Sequence, residues 1–224
     1  MKKHFIIALA AVGLLATLNS CSKEEQADLK PDATSEVVVK ATSSFVSLDT
    51  VTSYYLTGRH LDIATLKDRK AYDKISDGNL TIDFNRSMTK MNGKDQEWGD
   101  KPYVVSKCTP YLDTRFATGE EVKIKMNLSK KVTELGFELM QYKGYHMMVV
   151  NYYDKSKNKK VGQVYHVTGS SPYQTRRESN AYLFAAESSV PFDYVEIEWS
   201  NSTTSFRASP YELNLAQFRY KLAK

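Results

Sequence analysis

The chain has 224 residues, with 31 basic and 26 acidic side chains and a formal charge of +5. Such a mild imbalance excludes the strongly basic class of nucleic-acid-binding domains, and we expect no nucleic-acid partner. The 15 tyrosines and 9 phenylalanines, with few stretches of helical periodicity, favour β structure in one domain with a well-buried core.

The N-terminal stretch has the pattern of a secretory signal peptide. Lys2 and Lys3 form a basic head, and the apolar run from Phe5 to Leu18 is shorter than the ~20 residues that a membrane-spanning helix needs. The run ends in Leu18-Asn19-Ser20-Cys21, which resembles the lipobox of bacterial lipoproteins. We therefore expect residues 1–20 to be a lipoprotein signal peptide that is removed.

The lipobox resemblance implies that Cys21 is acylated, so that the lipid bilayer is the first expected partner. Acylation would leave Cys108 as the remaining thiol, without an intrachain disulfide. Removal of the signal peptide takes away two lysines and no acid, which lowers the formal charge from +5 to +3. The alternative is a soluble secreted protein with a free Cys21.

The next segment, Ser22 to Lys40, is polar and has no glycine or aromatic residue, which predicts a flexible tether over residues 21–41. Its first four residues, Ser22-Lys23-Glu24-Glu25, resemble the acidic export signal of Bacteroidota lipoproteins. This resemblance implies a lipid-anchored protein of the outer membrane that is exposed at the cell surface. The alternative is an ordinary solvated linker.

From residue 42 onward the chain alternates apolar and polar residues in short segments separated by turn residues. The predicted strands are 80–84, 121–129, 135–139, 147–153, 161–167, 181–186, 195–199 and 213–222. We expect Lys130-Lys131 to connect two of these strands and 154–160 to be the turn of a hairpin. A short helix is possible only near 65–72. Strands with one apolar face predict an all-β domain over 42–224, an antiparallel β-sandwich of two sheets with a jelly-roll arrangement.

Several segments resemble jelly-roll ectodomains of exported bacterial proteins, which are similar in fold to carbohydrate-binding modules. They are the Glu97-Trp98-Gly99 turn with Pro102, the segment from Val132 to Glu138, and the segment from Pro191 to Ile197. The resemblance implies a glycan-binding surface. The chain departs from the pattern at Leu215-Ala216-Gln217, where such domains commonly carry an acidic pair, so no calcium site is implied.

The acids, histidines and cysteines are the candidates for catalysis and metal binding. His60, His146 and His166 lie in no metal-binding motif, Cys108 has no nearby base, and we expect no metal or cofactor. Glu196 and Glu198 share one face of a strand at about 7 Å, within the carboxylate separation of inverting glycosidases. Since Val195, Ile197 and Trp199 occupy the core face, both acids should point outward, where they are either solvated or part of a groove.

Two further features are weighed as binding surfaces. Lys155 to Lys160 contains four lysines and is expected to be a solvated hairpin tip, or else a dock for an acidic glycan or an anionic membrane. Aromatic side chains beside predicted connections could stack on sugar rings, helped by neighbouring arginines. The predicted ligand-binding residues are Trp98, Tyr103, Tyr142, Tyr173, Arg176 and Arg177, with Tyr111 and Tyr145 nearby.

The sequence thus predicts an outer-membrane lipoprotein whose domain is a non-catalytic binding module, with glycan as the first choice of ligand. A second hypothesis is an adhesion or structural lipoprotein that binds a cell-surface protein through a sheet edge or face. A third is a glycoside-active enzyme that uses Glu196 and Glu198.

Overall fold

The computed structural model describes residues 44–48, 58–92, 109–117, 120–142, 144–170, 181–200 and 212–224. Their regular structure is almost entirely β, which confirms the predicted all-β class. The strands are β1 Phe45–Ser47, β2 Arg59–His60, β3 Ala71–Ser76, β4 Thr81–Met91, β5 Tyr111–Arg115, β6 Lys123–Tyr142, β7 Gly144–Asp154, β8 Lys159–Ser170, β9 Ala181–Ser200 and β10 Glu212–Leu222. The described part of the chain contains no helix that could span a membrane. The predicted signal peptide, the tether, Cys21 and Cys108 lie outside the described residues.

The ten strands belong to one hydrogen-bonded antiparallel sheet, whose main order is β2-β10-β5-β4-β6-β9-β7-β8. Strand β1 lies beside β9, β3 lies beside β4, and β10 also pairs with β6. Because β4 pairs with β5 and β6, and β10 pairs with both of those strands, these four close into a small ring. The sandwich and jelly-roll arrangement therefore stays a prediction, while the observed sheet closes on itself like a small barrel.

The two longest strands, β6 and β9, merge segments that the sequence analysis separates. The prediction of a connection at Lys130-Lys131 is wrong, because β6 continues through it to Tyr142. The register between β6 and β9 shifts between Asn127 and Glu134, so a bulge replaces the predicted turn. Strand β9 likewise runs through Pro191, which lies in the same irregular region and has no amide hydrogen to donate to a neighbouring strand.

The short helix predicted near 65–72 is also wrong. Leu66 N donates to Ile63 O at 3.2 Å in a turn, and Arg69 N donates to Lys90 O of β4 at 2.7 Å. Arg69 has a left-handed φ of 57°, which ends any right-handed helical path. The backbone groups that a helix would pair internally are instead used to start β3 at Ala71.

Alternation along the strands produces one main hydrophobic core. Side chains buried at every second position of β6 and β9 include Ile124, Met126, Val195 and Ile197. In the second half of β6, the Phe137 ring lies 6.4 Å from that of Phe184 on β9 and 5.7 Å from that of Phe218 on β10. Burying one such ring contributes about 2 kcal/mol or more, so this interior holds the outward side chains in a fixed frame.

The predicted hairpin is confirmed as β7 and β8, which pair from Gly144 with Ser170 to Asp154 with Lys159. Strand β1 covers the core side of this hairpin with Phe45, whose ring lies 5.6 Å from the Tyr152 ring. A Cβ atom at Gly162 would lie 2.3 Å from Cγ of Phe45, so this position requires glycine.

Candidate functional site

The candidate site lies on the outer face of the sheet, where β4, β6, β9, β7 and β8 are neighbours. The sequence analysis placed Glu196 and Glu198 on this face, and the structure confirms it. Val195 and Ile197 are fully buried, whereas the side chains of Glu196 and Glu198 are 15% and 38% exposed. Alternation on the facing strands turns polar side chains to the same side.

Strand register sets which outward side chains meet. Tyr194 of β9 is paired with Asn127 of β6 on one side and with Tyr153 of β7 on the other. In the next row, Glu196 lies between Lys125 and Asn151. Aromatic, amide, cationic and anionic groups therefore lie side by side on one surface of the sheet.

This surface contains two grooves. The first groove, of about 480 Å³, is lined by Asn85, Lys125, Asn127, Tyr153, Lys155, Asn158, Tyr194 and Glu196. The second groove, of about 540 Å³, is lined by Met147, Val149, Asn151, Lys160, Gln163, Tyr165 and Glu198. The first groove combines paired aromatic rings with three amide side chains, which is the chemistry that binds polyhydroxylated ligands.

The aromatic part of the first groove is the pair Tyr153 and Tyr194, whose ring centroids are 5.7 Å apart at 49°. The Tyr194 hydroxyl donates to Glu196 Oε1 at 2.7 Å. Burial raises the pKa of both hydroxyls, and the Glu196 carboxylate raises both pKa values further. Both tyrosines therefore remain protonated at neutral pH and act as hydrogen-bond donors.

The hairpin tip between β7 and β8 forms one end of the first groove. Asp154, at 1% exposure, accepts hydrogen bonds from Lys131 Nζ at 2.8 Å and Ser156 Oγ at 2.6 Å. These interactions, that from Lys131 first, hold the pKa of Asp154 well below its ordinary value. Lys155 N donates to Asp193 Oδ1 at 2.8 Å, which fixes the tip to β9.

The side chain of Lys155 then crosses the groove end. Its Nζ donates to Asn127 Oδ1 at 2.8 Å and lies 5.5 Å from the Tyr194 ring centroid. The sequence analysis expected a solvated tip, and Lys155 to Lys160 are indeed exposed. One of these lysines nevertheless forms part of the groove, because the tip folds back toward β6.

Glu196 and Glu198 are engaged by neighbouring donors. Asn151 Nδ2 donates to Glu198 Oε1 at 2.6 Å. Lys123 Nζ lies 3.6 Å from Glu198 Oε2 and 3.9 Å from Glu196 Oε2. A glycosidase pair needs one carboxyl group that holds a proton for the leaving group, whereas donors surround both acids here. This arrangement suits charged acceptors in a binding surface.

Most of the predicted ligand-binding residues lie outside the described residues, namely Trp98, Tyr103, Tyr173, Arg176 and Arg177. Tyr142 ends β6 and is paired with Glu212 of β10, and its side chain is not among those described. Tyr145 lies in β7, with its side chain likewise not described. The structure therefore tests none of these predicted contacts.

Tyr111, named beside the predicted aromatics, is not available to a ligand. It starts β5 and is 1% exposed, packed with Met140, Ala181 and Ala216 in a second buried cluster. The Tyr111 ring therefore faces protein.

His60 is exposed on β2, whereas His166 packs against aromatic rings. The ring of His166 lies 4.9 Å from that of Phe184 and 5.6 Å from that of Tyr182. Across the described ranges, no three His, Cys, Asp or Glu side chains come together in a way that could hold a metal ion.

The sequence analysis missed the residues that line the first groove, above all Tyr153, Tyr194, Asn85 and Asn127. A signal for them was present, because Tyr194 is two residues before Glu196 and must share its face. The position of Tyr153 beside β9, in contrast, can be inferred only when the strand order is known. The prediction considered aromatic residues in loops and left out those within strands.

Comparisons with known proteins give remote likeness only. No protein-family profile and no curated protein match the chain. Among solved structures, it is similar to a DUF4465 family protein from Bacteroides caccae, with 8% identity over 80% of this chain and 100% of that chain and a TM-score of 0.40. It is also similar to the K1 cleaved adhesin domain of Lys-gingipain from Porphyromonas gingivalis W83, with 11% identity over 82% of this chain and 99% of that chain and a TM-score of 0.35. It is similar as well to a family 29 carbohydrate binding module, with 8% identity over 80% of this chain and 88% of that chain and a TM-score of 0.25.

Proposed function

We propose that this protein is a non-catalytic glycan-binding lipoprotein of the outer membrane, and that the first groove binds the glycan. The observation that carries the proposal is the tyrosine pair beside amide side chains on a rigid sheet face. The apolar C–H face of a sugar ring packs on an aromatic ring, while amide and charged groups bind its hydroxyls. The first groove offers both kinds of contact within one surface.

The groove is held in place by the core beneath it and by hydrogen bonds at its edges. Core residues lie beneath β6 and β9, Asp193 fixes the hairpin tip, and Asn85 Oδ1 accepts from Lys125 N at 2.7 Å. A ligand that enters such a preformed groove has little ordering cost for the protein, which favours binding.

Membrane attachment is part of the same proposal and rests on the sequence pattern at Cys21. Acyl chains on Cys21 would hold the protein at the outer membrane, with residues 21–41 as the tether and residues 42–224 as the binding domain. The export-signal resemblance at Ser22 to Glu25 supports exposure at the cell surface. Cys21→Ser should move the protein out of the membrane fraction, and its retention there would contradict the anchor.

A second candidate function is adhesion to a cell-surface protein. Tyr165 on β8 is 60% exposed, and β8 stands at the end of the main strand order. An exposed aromatic residue on an end strand suits a protein partner that adds along the edge or packs on the face. This candidate uses the second groove, so one set of variants separates it from glycan binding.

The test is a broad glycan array probed with the full chain in detergent. Tyr153→Ala and Tyr194→Ala should each weaken the hits roughly tenfold, because each removes half of the aromatic pair. Tyr165→Ala is the matched control, since it removes an exposed tyrosine outside the first groove. Silence of the wild-type protein on the array, or loss of binding only in Tyr165→Ala, would contradict the proposal.

A further inference from the structure

We propose that the first groove selects a glycan with an anionic substituent, and that the Lys125 ammonium group binds it. This inference rests on the proposed glycan-binding function and names the ligand class. The shared chemistry is a singly charged acceptor on a sugar ring, either a uronic acid carboxylate or a sulfate ester.

The lysines on this face differ in how their charge is used. Lys123 lies within 3.9 Å of acidic oxygens of Glu121, Glu196 and Glu198, so its charge is balanced. Lys155 binds Asn127 Oδ1 and lies over the Tyr194 ring. Lys125, in contrast, makes a backbone bond to Asn85, and its ammonium has no acceptor among the residues that the structure describes.

Among the described residues, the Lys125 ammonium lacks an acceptor although Lys125 has an acid as its cross-strand neighbour. Lys125 is paired in register with Glu196, but Glu196 accepts from the Tyr194 hydroxyl and lies nearer to Lys123 Nζ. Lys125 is half-buried and lines the first groove. Because water screens a half-buried cation less than an exposed one, an anion brought beside it interacts more strongly than at the open surface.

Asn127 supplies a second donor next to Lys125. The two residues are two positions apart on the same face of β6, so their Cα atoms are about 7 Å apart. Asn127 Oδ1 already accepts from Lys155, which leaves its amide nitrogen as the donor of that side chain in the groove. A carboxylate or sulfate offers separate charged oxygens to the two donors, and its hydrogen bonds to them are stronger than those of a neutral hydroxyl.

The tyrosine pair adjoins these donors. Tyr194 is the cross-strand neighbour of Asn127, so a sugar ring stacked on the pair would hold a ring substituent beside Asn127 and Lys125. The groove also contains Glu196, which repels an anion placed near it. Ligands should therefore direct their charge toward Lys125 and Asn127 and place neutral hydroxyls beside the Glu196 carboxylate, the cross-strand neighbour of Lys125.

The test compares ligands that differ only in charge, using the full chain in detergent and titration calorimetry. One arm pairs oligogalacturonate with its methyl ester, and the other pairs a sulfated galactan fragment with its desulfated form. We expect the wild-type protein to bind one charged ligand roughly tenfold more tightly than its neutral counterpart, with a preference that weakens at high salt. The arm that shows this preference identifies the anion as carboxylate or sulfate.

Three variants isolate the lysine. Lys125→Met should lower the affinity for the charged ligand far more than that for the neutral one and so remove the preference, and Lys125→Arg should retain it. Lys130→Met is the matched control, since Lys130 is exposed on the same strand outside the groove. Matching melting temperatures show that all three variants are folded.

Equal binding of charged and neutral forms would overturn this inference and leave the proposed glycan-binding function standing. Failure to bind any of the four ligands, together with a silent array, would overturn both. Binding to phosphatidylglycerol vesicles that Lys125→Met abolishes, without a charged-glycan preference, would also overturn it in favour of a membrane headgroup.

Discussion

The two halves of β6 present the same kinds of residue to very different surroundings. In the first half, outward Lys123 is 27% exposed and Lys125 lines an open groove. In the second half, outward Glu134 and Glu138 are buried at 1% and 0%. The charged residue type therefore does not mark the site, because what differs is whether the outer face is open or covered.

A register shift separates the two halves. In the first half the apolar residues that face the main core include Ile124 and Met126, and in the second half they include Leu135 and Phe137. The apolar positions change from even to odd, which a regular strand cannot do without turning its face over. The bulge between Asn127 and Glu134 absorbs the change, so one strand contributes to an open and a covered face.

The largest expected effect lies in the covered half. Phe137→Ala removes a fully buried ring that contacts Phe184 and Phe218, and should lower the free energy of unfolding by about 3–5 kcal/mol. Chemical denaturation measures this change. Val46→Ala, at an exposed position of β1, is the control and should change it by less than about 0.5 kcal/mol. A similar decrease in the free energy of unfolding in both variants would contradict a stabilising role of the covered half.

At the groove beside the open half of β6, truncation of an aromatic side chain should affect binding more than folding. Tyr153→Ala should weaken glycan binding by about 1.4 kcal/mol, because the ring pair loses one member. Tyr153→Phe keeps the ring and should retain most of the affinity. Denaturation and titration of the same samples provide the comparison, and a larger loss of stability than of binding in Tyr153→Ala would remove the distinction between the halves.

The sequence predicted the all-β class and the outward direction of Glu196 and Glu198, since period-two alternation depends on local residues alone. It failed at Lys130-Lys131, where a change of apolar parity looks the same whether a turn or a bulge produces it. It failed also at the groove, because Tyr153 meets Tyr194 only through the pairing of β7 with β9. Strand order is a long-range property that one sequence does not reveal.

A smaller effect is expected at the hairpin tip that ends the open half. Asp154→Asn removes the carboxylate that receives Lys131 and Ser156, so it should lower the melting temperature and weaken glycan binding a few-fold through a displaced Lys155. Ser87→Ala on β4 is a surface control, and an unchanged affinity in Asp154→Asn would exclude a positioning role.

The stability difference between wild type and Asp154→Asn should also depend on pH. The hydrogen bond from Lys131 holds the pKa of Asp154 below its ordinary value of 3.8 in the folded protein. Its contribution is therefore complete above pH 3.8 and is lost as the pH falls through the lower, folded-state pKa. Melting curves at neutral pH should differ between the two proteins and converge at strongly acidic pH. A constant difference would contradict the assigned partners.

The smallest effect is expected for the two outward acids in a released-sugar assay. Sugar release should stay at background level in the wild-type protein and in both Glu196→Gln and Glu198→Gln, because donors engage both carboxylates as acceptors. Glu187→Gln, an exposed acid in the first half of β9, is the control. Sugar release by wild type that either site variant abolishes would replace the binding function with a hydrolytic one.

The placement of β1 has a mechanical consequence. Tension that arrives through the chain before residue 44 reaches the sheet first at this strand of 3 residues, which is paired with the first half of β9 and seats Phe45 against Gly162. Under load β1 should separate from the sheet first. The strands that carry the grooves, each of at least 11 residues, should remain folded. For a protein held through the proposed tether, separation of this short strand would lengthen the chain while the proposed binding groove stays folded.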